Sequence, residues 1–140
     1  KIGLYSKMAR KDITRIREEI EELAIEVTTS EIRKYREKIV KSHQKHHKRV
    51  SQGYDFYSLS TLRDLLFHVQ EHQFTISQID KILHDMGLKF CGFEIDPTLI
   101  GKPNEKIEKN LLQNINFWRR YEKNNPKIFK GMYQFWCQKI

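Results

Sequence analysis

No run in the 140 residues approaches the roughly 18 consecutive apolar side chains of a membrane-spanning helix, and the N-terminal segment lacks the basic-then-apolar layout of a secretory signal. A soluble, cytoplasmic protein with no membrane partner is therefore expected. Cysteine is scarce: Cys91 and Cys137 are the only two, both in apolar, strand-like runs rather than in a C-x-x-C pair. That scarcity argues against a disulfide scaffold and for a reducing compartment with two buried free thiols. No G-x-G-x-x-G or similar Gly-rich loop occurs among the six glycines, so the chain has no phosphate-cradling turn of that kind. Internal repeats and low-complexity linkers are also missing, which leaves one compact domain as the expectation.

What the chain does have is basic charge, +8 from 26 Lys and Arg against 18 Asp and Glu, and 39% hydrophobic residues, enough for a modest core. The charge favours an acidic partner, whether nucleic acid, anionic membrane or an acidic protein surface, without choosing among them. Its densest segment is "KSHQKHHKR", Lys41 to Arg49, with four cations, three histidines and no acid. That run reads either as a phosphate-binding stripe or as a solvated helix end whose cations suit the C-terminal dipole. The second reading is preferred, because no aromatic platform interleaves the charges. Metal binding by the clustered histidines carries no weight as a function, and no metal site is expected.

Periodicity supplies the elements. From Ser6 to Val27 apolar residues recur at helical spacing (Met8, Ile13, Ile16, Ile20, Leu23, Val27). A second helix opens at Thr29 or Ser30 and runs through Ile32, Tyr35 and Ile39 toward the basic segment, its cap supplied by either hydroxyl. "SQGYDFYS" reads as a loop, and a short helix follows from about Ser60 to Phe67. Thr75 with Gln78, or Ser77 with Asp80, has the side-chain pairing of a helix start; Ile79, Ile82, Leu83 and Met86 form its apolar face and Gly87 its C-cap. "LKFCGFEI" is a strand, residues 96–104 a loop, Ile107 to about Asn124 one helix, and "GMYQFWCQK" a last strand. Phe117, Trp118, Tyr121, Phe135 and Trp136 are expected to be mostly core rather than a base-stacking surface.

"LLFHVQEHQFT" contains His-x-x-Glu-His, the zinc and general-base spacing of one metalloprotease group. Such a site needs His68 and His72 on one helical face, a third ligand and a rigid outer shell. The third ligand would come from Glu94, Glu105, Glu108 or Glu122, and none of these stands in a second motif. Hydrogen bonding of both histidines around a bend is preferred to zinc.

"IGLYSKMARKDI", "DFYSLSTLRDLLFHVQEHQFTISQI", "GLKFCGFEID" and "GMYQFWCQK", in that order, resemble the C-terminal half of bacterial class I S-adenosylmethionine-dependent methyltransferases of the kind often fused to tetratricopeptide repeats. The similarity spans nearly the whole chain. It implies an α/β fold: the C-terminal portion of a seven-stranded, Rossmann-like sheet, contributing three strands, with "GMYQFWCQK" inserted antiparallel between "KIGLYS" and "LKFCGFEI", and a helical insertion. Residues 1–6 would be a strand, 7–49 a helical cover, 50–75 a cleft-lining segment, and 76–140 helix, strand, helix, strand. Because "KIGLY" at Lys1 already reads as the inside of a buried strand, the chain is expected to be a piece of a longer one. It would need its missing N-terminal half as a partner to bind the cofactor S-adenosylmethionine, and would be inactive alone.

Ligands sit outside the carboxyl ends of parallel strands. On that frame Tyr5, Ser6, Arg10, Asp55, Tyr57, Arg63 and Asp64 are candidate substrate contacts, and His68, Glu71 and His72 candidate acid-base groups, since an imidazole titrates near neutrality. Whether His68 and His72 are catalytic or structural, and what the methyl acceptor is, stay open. The alternative is a free-standing basic module that binds nucleic acid or a partner protein, with nucleic acid not favoured.

Overall fold

Ile2–Ser6 forms β1, flanked on both sides by other strands. The computed structural model describes residues 1–67, 70–101 and 108–140, which divide into two units: residues 1–9 with 72–140, and residues 10–71. Residues 50–71 fall in the same unit as residues 10–49.

In the first unit β1 pairs antiparallel with β4 (Met132–Lys139), and β4 pairs antiparallel with β3 (Leu88–Phe93). On its other side β1 pairs parallel with a two-residue strand, β2 (Gln73–Phe74), giving the order β2-β1-β4-β3. The protein is therefore mixed α/β with a four-stranded mixed sheet, and the last strand lies reversed between the two it was expected to separate. β2 is the strand the sequence did not predict. Two residues are too few to display alternation; β2 is defined by its register with Tyr5 and Ser6 and by the Lys7 N–H donating to the Phe74 carbonyl at 2.9 Å.

Alternation along β4 sorts its faces. Tyr133 and Phe135 are buried, while Met132, Gln134 and Trp136 are exposed. Leu4 and Ile2 stand opposite Tyr133 and Phe135 and join the same core, which α5 (Ile76–Asp85) enters with Ile76, Ile79 and Leu83 and α7 (Ile115–Asn124) with Trp118. Phe93 sits at its centre, its ring 4.6 Å from Phe129, 5.5 Å from Trp118, 5.6 Å from Tyr133 and 5.8 Å from Phe135. Of the five aromatics expected to be mostly core, Trp118 and Phe135 are buried, Phe117 and Tyr121 pack half-buried against them, and Trp136 is 53% exposed on the opposite face. Cys91 and Cys137 are free but half-buried rather than buried.

Local chemistry sets the ends of α5. Thr75 and Gln78 form a capping box, each side chain accepting from the other's backbone N–H, and Gly87 follows the helix at φ +62°. The single helix expected over 107–124 is instead α6 (Lys109–Leu112) and α7, because the Asn114 side chain accepts from the N–H groups of Asn116 and Phe117 at 2.9 and 3.3 Å and starts a new helix. Ile107 lies outside the described residues.

The second unit is helical. α1 (Lys11–Glu22) begins later than predicted, because Ser6 is taken by β1 and residues 7–10 form turns. Ile13, Ile16 and Ile20 face its core, whereas Met8, Leu23 and Val27 are exposed and lie outside the helix. The α1 exit is a Schellman turn: Ile25 N–H donates to the Ile20 carbonyl at 3.1 Å and Ala24 N–H to the Glu21 carbonyl at 3.0 Å, with Ala24 left-handed at φ +49°. α2 (Thr29–Lys41) is capped by Thr28, not by Thr29 or Ser30, and reaches the first residue of the basic segment; Lys45–Ser51 forms α3. A 3₁₀ turn over Tyr54–Phe56, where a loop was expected, buries Phe56, and α4 (Leu59–Phe67) adds Leu62, Leu66 and Phe67 to a core with Ile32, Ile39 and Val50. Among the described residues no helix is long and apolar enough to cross a membrane.

Candidate functional site

Ser6 is the last residue of β1, at the carboxyl end of that strand. Its hydroxyl donates to Glu122 Oε1 at 3.0 Å; the Tyr133 hydroxyl donates to the same oxygen at 2.7 Å, and Ala9 N–H donates to Ser6 Oγ at 3.1 Å. Ser6 and Tyr133 are 0% exposed and Glu122 4%. Burial pushes the Glu122 carboxyl above its ordinary value, with the bonds from Tyr133 and Ser6 offsetting part of the rise, and burial likewise raises the Tyr133 phenol. A buried carboxyl with a raised titration point, bonded by two hydroxyls, can hold or pass a proton. Leu99, Asn125, Pro126, Lys127, Ile128 and Lys130 line an open surface hollow of about 390 Å³. Tyr133 was missed in the sequence because the strand pattern assigns it to packing, and Glu122 was considered there only as a third zinc ligand.

Of the His-x-x-Glu-His spacing, residues 70–72 are not helical, and His68 lies outside the described residues. Glu71, its side chain 5% exposed, accepts from Arg10 Nε and Nη2 at 2.7 Å each and from Arg17 Nη2 at 3.0 Å; Arg17 also donates to the Leu65 carbonyl at 2.6 and 3.0 Å. A carboxylate held by two guanidinium groups is a poor proton acceptor. His72 is exposed. Of the acids considered as a third ligand, Glu94 pairs with Lys1 at 2.7 Å, Glu108 is exposed, Glu122 is committed to Ser6 and Tyr133, and Glu105 lies outside the described residues.

The remaining candidates are scattered. Tyr5 is half-buried in β1, in register with Gln73 and Met132. Asp55 is exposed in the 3₁₀ turn, where its carbonyl accepts from the Thr61 hydroxyl at 2.8 Å, and Tyr57 is 71% exposed. Arg63 and Asp64 are exposed on α4, and no ion pair joins them. Arg10 and Glu71 are thus brought together, in a salt bridge.

The basic run yields a constellation that the sequence did not suggest. His46 and His47, in the first turn of α3, are each 2% exposed. His46 Nε2 lies 2.5 Å from Glu19 Oε1 and His47 Nε2 2.7 Å from Glu19 Oε2; Tyr35 donates to Oε2 at 3.2 Å, and His47 Nδ1 lies 2.8 Å from Ser42 Oγ. Burial alone would raise the Glu19 carboxyl, but the bonds from His46 and His47, the charge of His47 and the Tyr35 hydroxyl outweigh it and hold the group below its ordinary value. Lys41, Lys45 and Lys48 stay exposed, and Arg49 binds Asp12 through two 2.5 Å contacts. The solvated helix end preferred for this run therefore holds for its lysines and fails for two of its histidines.

Comparison with protein-family models and with curated proteins gives no match.

Proposed function

We propose that the sheet unit is the substrate-side portion of a class I S-adenosylmethionine-dependent methyltransferase. The observation that carries this reading is β4, reversed between the parallel strands β1 and β3, the strand order that the resemblance implies for the end of that sheet. The described residues offer no Gly-rich turn to hold the donor, and no donor contact is assigned to them. On this reading the donor lies on a separate Gly-rich segment, and this chain supplies the acceptor side. Tyr5 and Ser6 border the carboxyl end of β1, where an acceptor would be held. Through Ser6, the Glu122 carboxyl is the group placed to take a proton from an acceptor that must lose one. Glu71 and Arg10 serve the helical unit through their ion pair.

Calorimetry with S-adenosylmethionine tests the proposal. The chain alone is expected to give no binding heat. The same chain extended by the segment encoded immediately upstream is expected to bind one equivalent and to transfer a labelled methyl group. Micromolar binding by the chain alone, or an upstream frame with no Gly-rich strand-loop-helix, overturns it. Tight, salt-dependent nucleic-acid binding by the chain alone would instead establish a basic binding module.

A further inference from the structure

We propose that Glu19, His46 and His47 form a binding site for a divalent cation of the zinc class, with a fourth position open to water. The three side chains come from two elements, α1 and α3, that are distant in sequence, and their ligand atoms all lie within 4.8 Å of one another. Zinc bonds to nitrogen and oxygen of about 2.0–2.2 Å place tetrahedral ligands roughly 3.3 Å apart. The present Nε2 to Oε separations of 2.5 and 2.7 Å need to widen by less than about 1 Å to admit an ion on that geometry.

The surroundings fit. An imidazole that gives its Nε2 lone pair to a metal carries its proton on Nδ1 and needs an acceptor there. Ser42 Oγ stands 2.8 Å from His47 Nδ1 and supplies one. The Tyr35 hydroxyl, on a ring that is 4% exposed, fixes Glu19 Oε2. The imidazoles are 3% and 2% exposed while the Glu19 side chain is 24% exposed, so the carboxylate side of the cluster is where an ion and its water enter. Two neutral imidazoles and one carboxylate match zinc or cobalt(II); calcium and magnesium prefer six or more oxygen ligands.

The chelator-stripped 140-residue chain, titrated with Zn²⁺ and separately with Co²⁺, decides the matter. Expected are one equivalent bound, a rise in thermal midpoint with free Zn²⁺, and the intense visible absorption of four-coordinate cobalt. His47→Gln and Glu19→Gln should each weaken binding at least tenfold, while His84→Gln, at an exposed histidine, leaves it unchanged. Should those ligand variants fail to fold, Ser42→Ala keeps all three ligands and removes only the Nδ1 partner, with an expected loss of about 10- to 100-fold. A stoichiometry other than one, a six-coordinate cobalt spectrum, affinity indifferent to His47→Gln and Ser42→Ala, or loss of binding in His84→Gln overturns the site.

Discussion

Glu71 accepts two hydrogen bonds from a single Arg10 guanidinium, each 2.7 Å long, across 61 residues of chain. The pair joins the two ends of the helical unit, and Arg17 shares the same carboxylate. Glu71→Gln removes the carboxylate charge that both guanidinium groups, 11% and 16% exposed, share. Removing one partner of a largely buried pair costs about 3 kcal/mol or more. Urea unfolding should show that loss; an unchanged midpoint would mean that the pair contributes nothing net.

Glu122 makes stability depend on pH in a defined direction. Its native carboxyl titrates above the ordinary value of 4.5, so between 4.5 and the raised native value the folded chain holds a proton that the unfolded chain has released. Stability from this group therefore falls as pH rises through that window and stays reduced above it. Gln at this position has no proton to lose, and its amide oxygen can accept from both Ser6 and Tyr133. The stability gap between Glu122→Gln and the parent should widen in favour of Gln as pH rises, and then level off; parallel profiles would contradict the assignment. Glu122→Leu strands both hydroxyls and should cost about 1–3 kcal/mol per unsatisfied group.

Ala24 occupies the left-handed position of the Schellman turn that ends α1, at φ +49°. An L-residue with a Cβ is strained there by roughly 1 kcal/mol relative to glycine, partly offset by the greater freedom of glycine in the unfolded chain. Ala24→Gly should therefore stabilise the helical unit by about 0.5 kcal/mol, read as a higher urea midpoint with no change in slope. A lower midpoint would show that unfolded-state entropy dominates.

Legibility in the sequence followed the range of the interactions. Thr75, Gln78 and Gly87 announced both ends of α5, since caps act over three or four residues, and the aromatic run "GMYQFWCQK" announced the last strand. The break at Asn114 was missed because Ile107, Leu111, Ile115 and Trp118 keep an unbroken helical period, while one side-chain amide is enough to restart the helix. β2 has no period to find. His46 and His47 looked solvated among lysines because their partner, Glu19, is 27 and 28 residues away. Nothing local marks a carboxylate as the one that folding will deliver. Glu71 looked like a base for the complementary reason: its neighbours in sequence are histidines, and its neighbours in space are arginines.

The pairing of Ser6 with Phe74, reinforced by the Lys7 N–H to the Phe74 carbonyl, brings the two stems of the helical insertion side by side at the rim of the sheet. A segment whose ends already meet behaves as a detachable cassette. A tight linker between Ala9 and Gln73 would retain the β1 to β2 ladder, so the helices can be excised, lengthened or exchanged between chains without rethreading a strand.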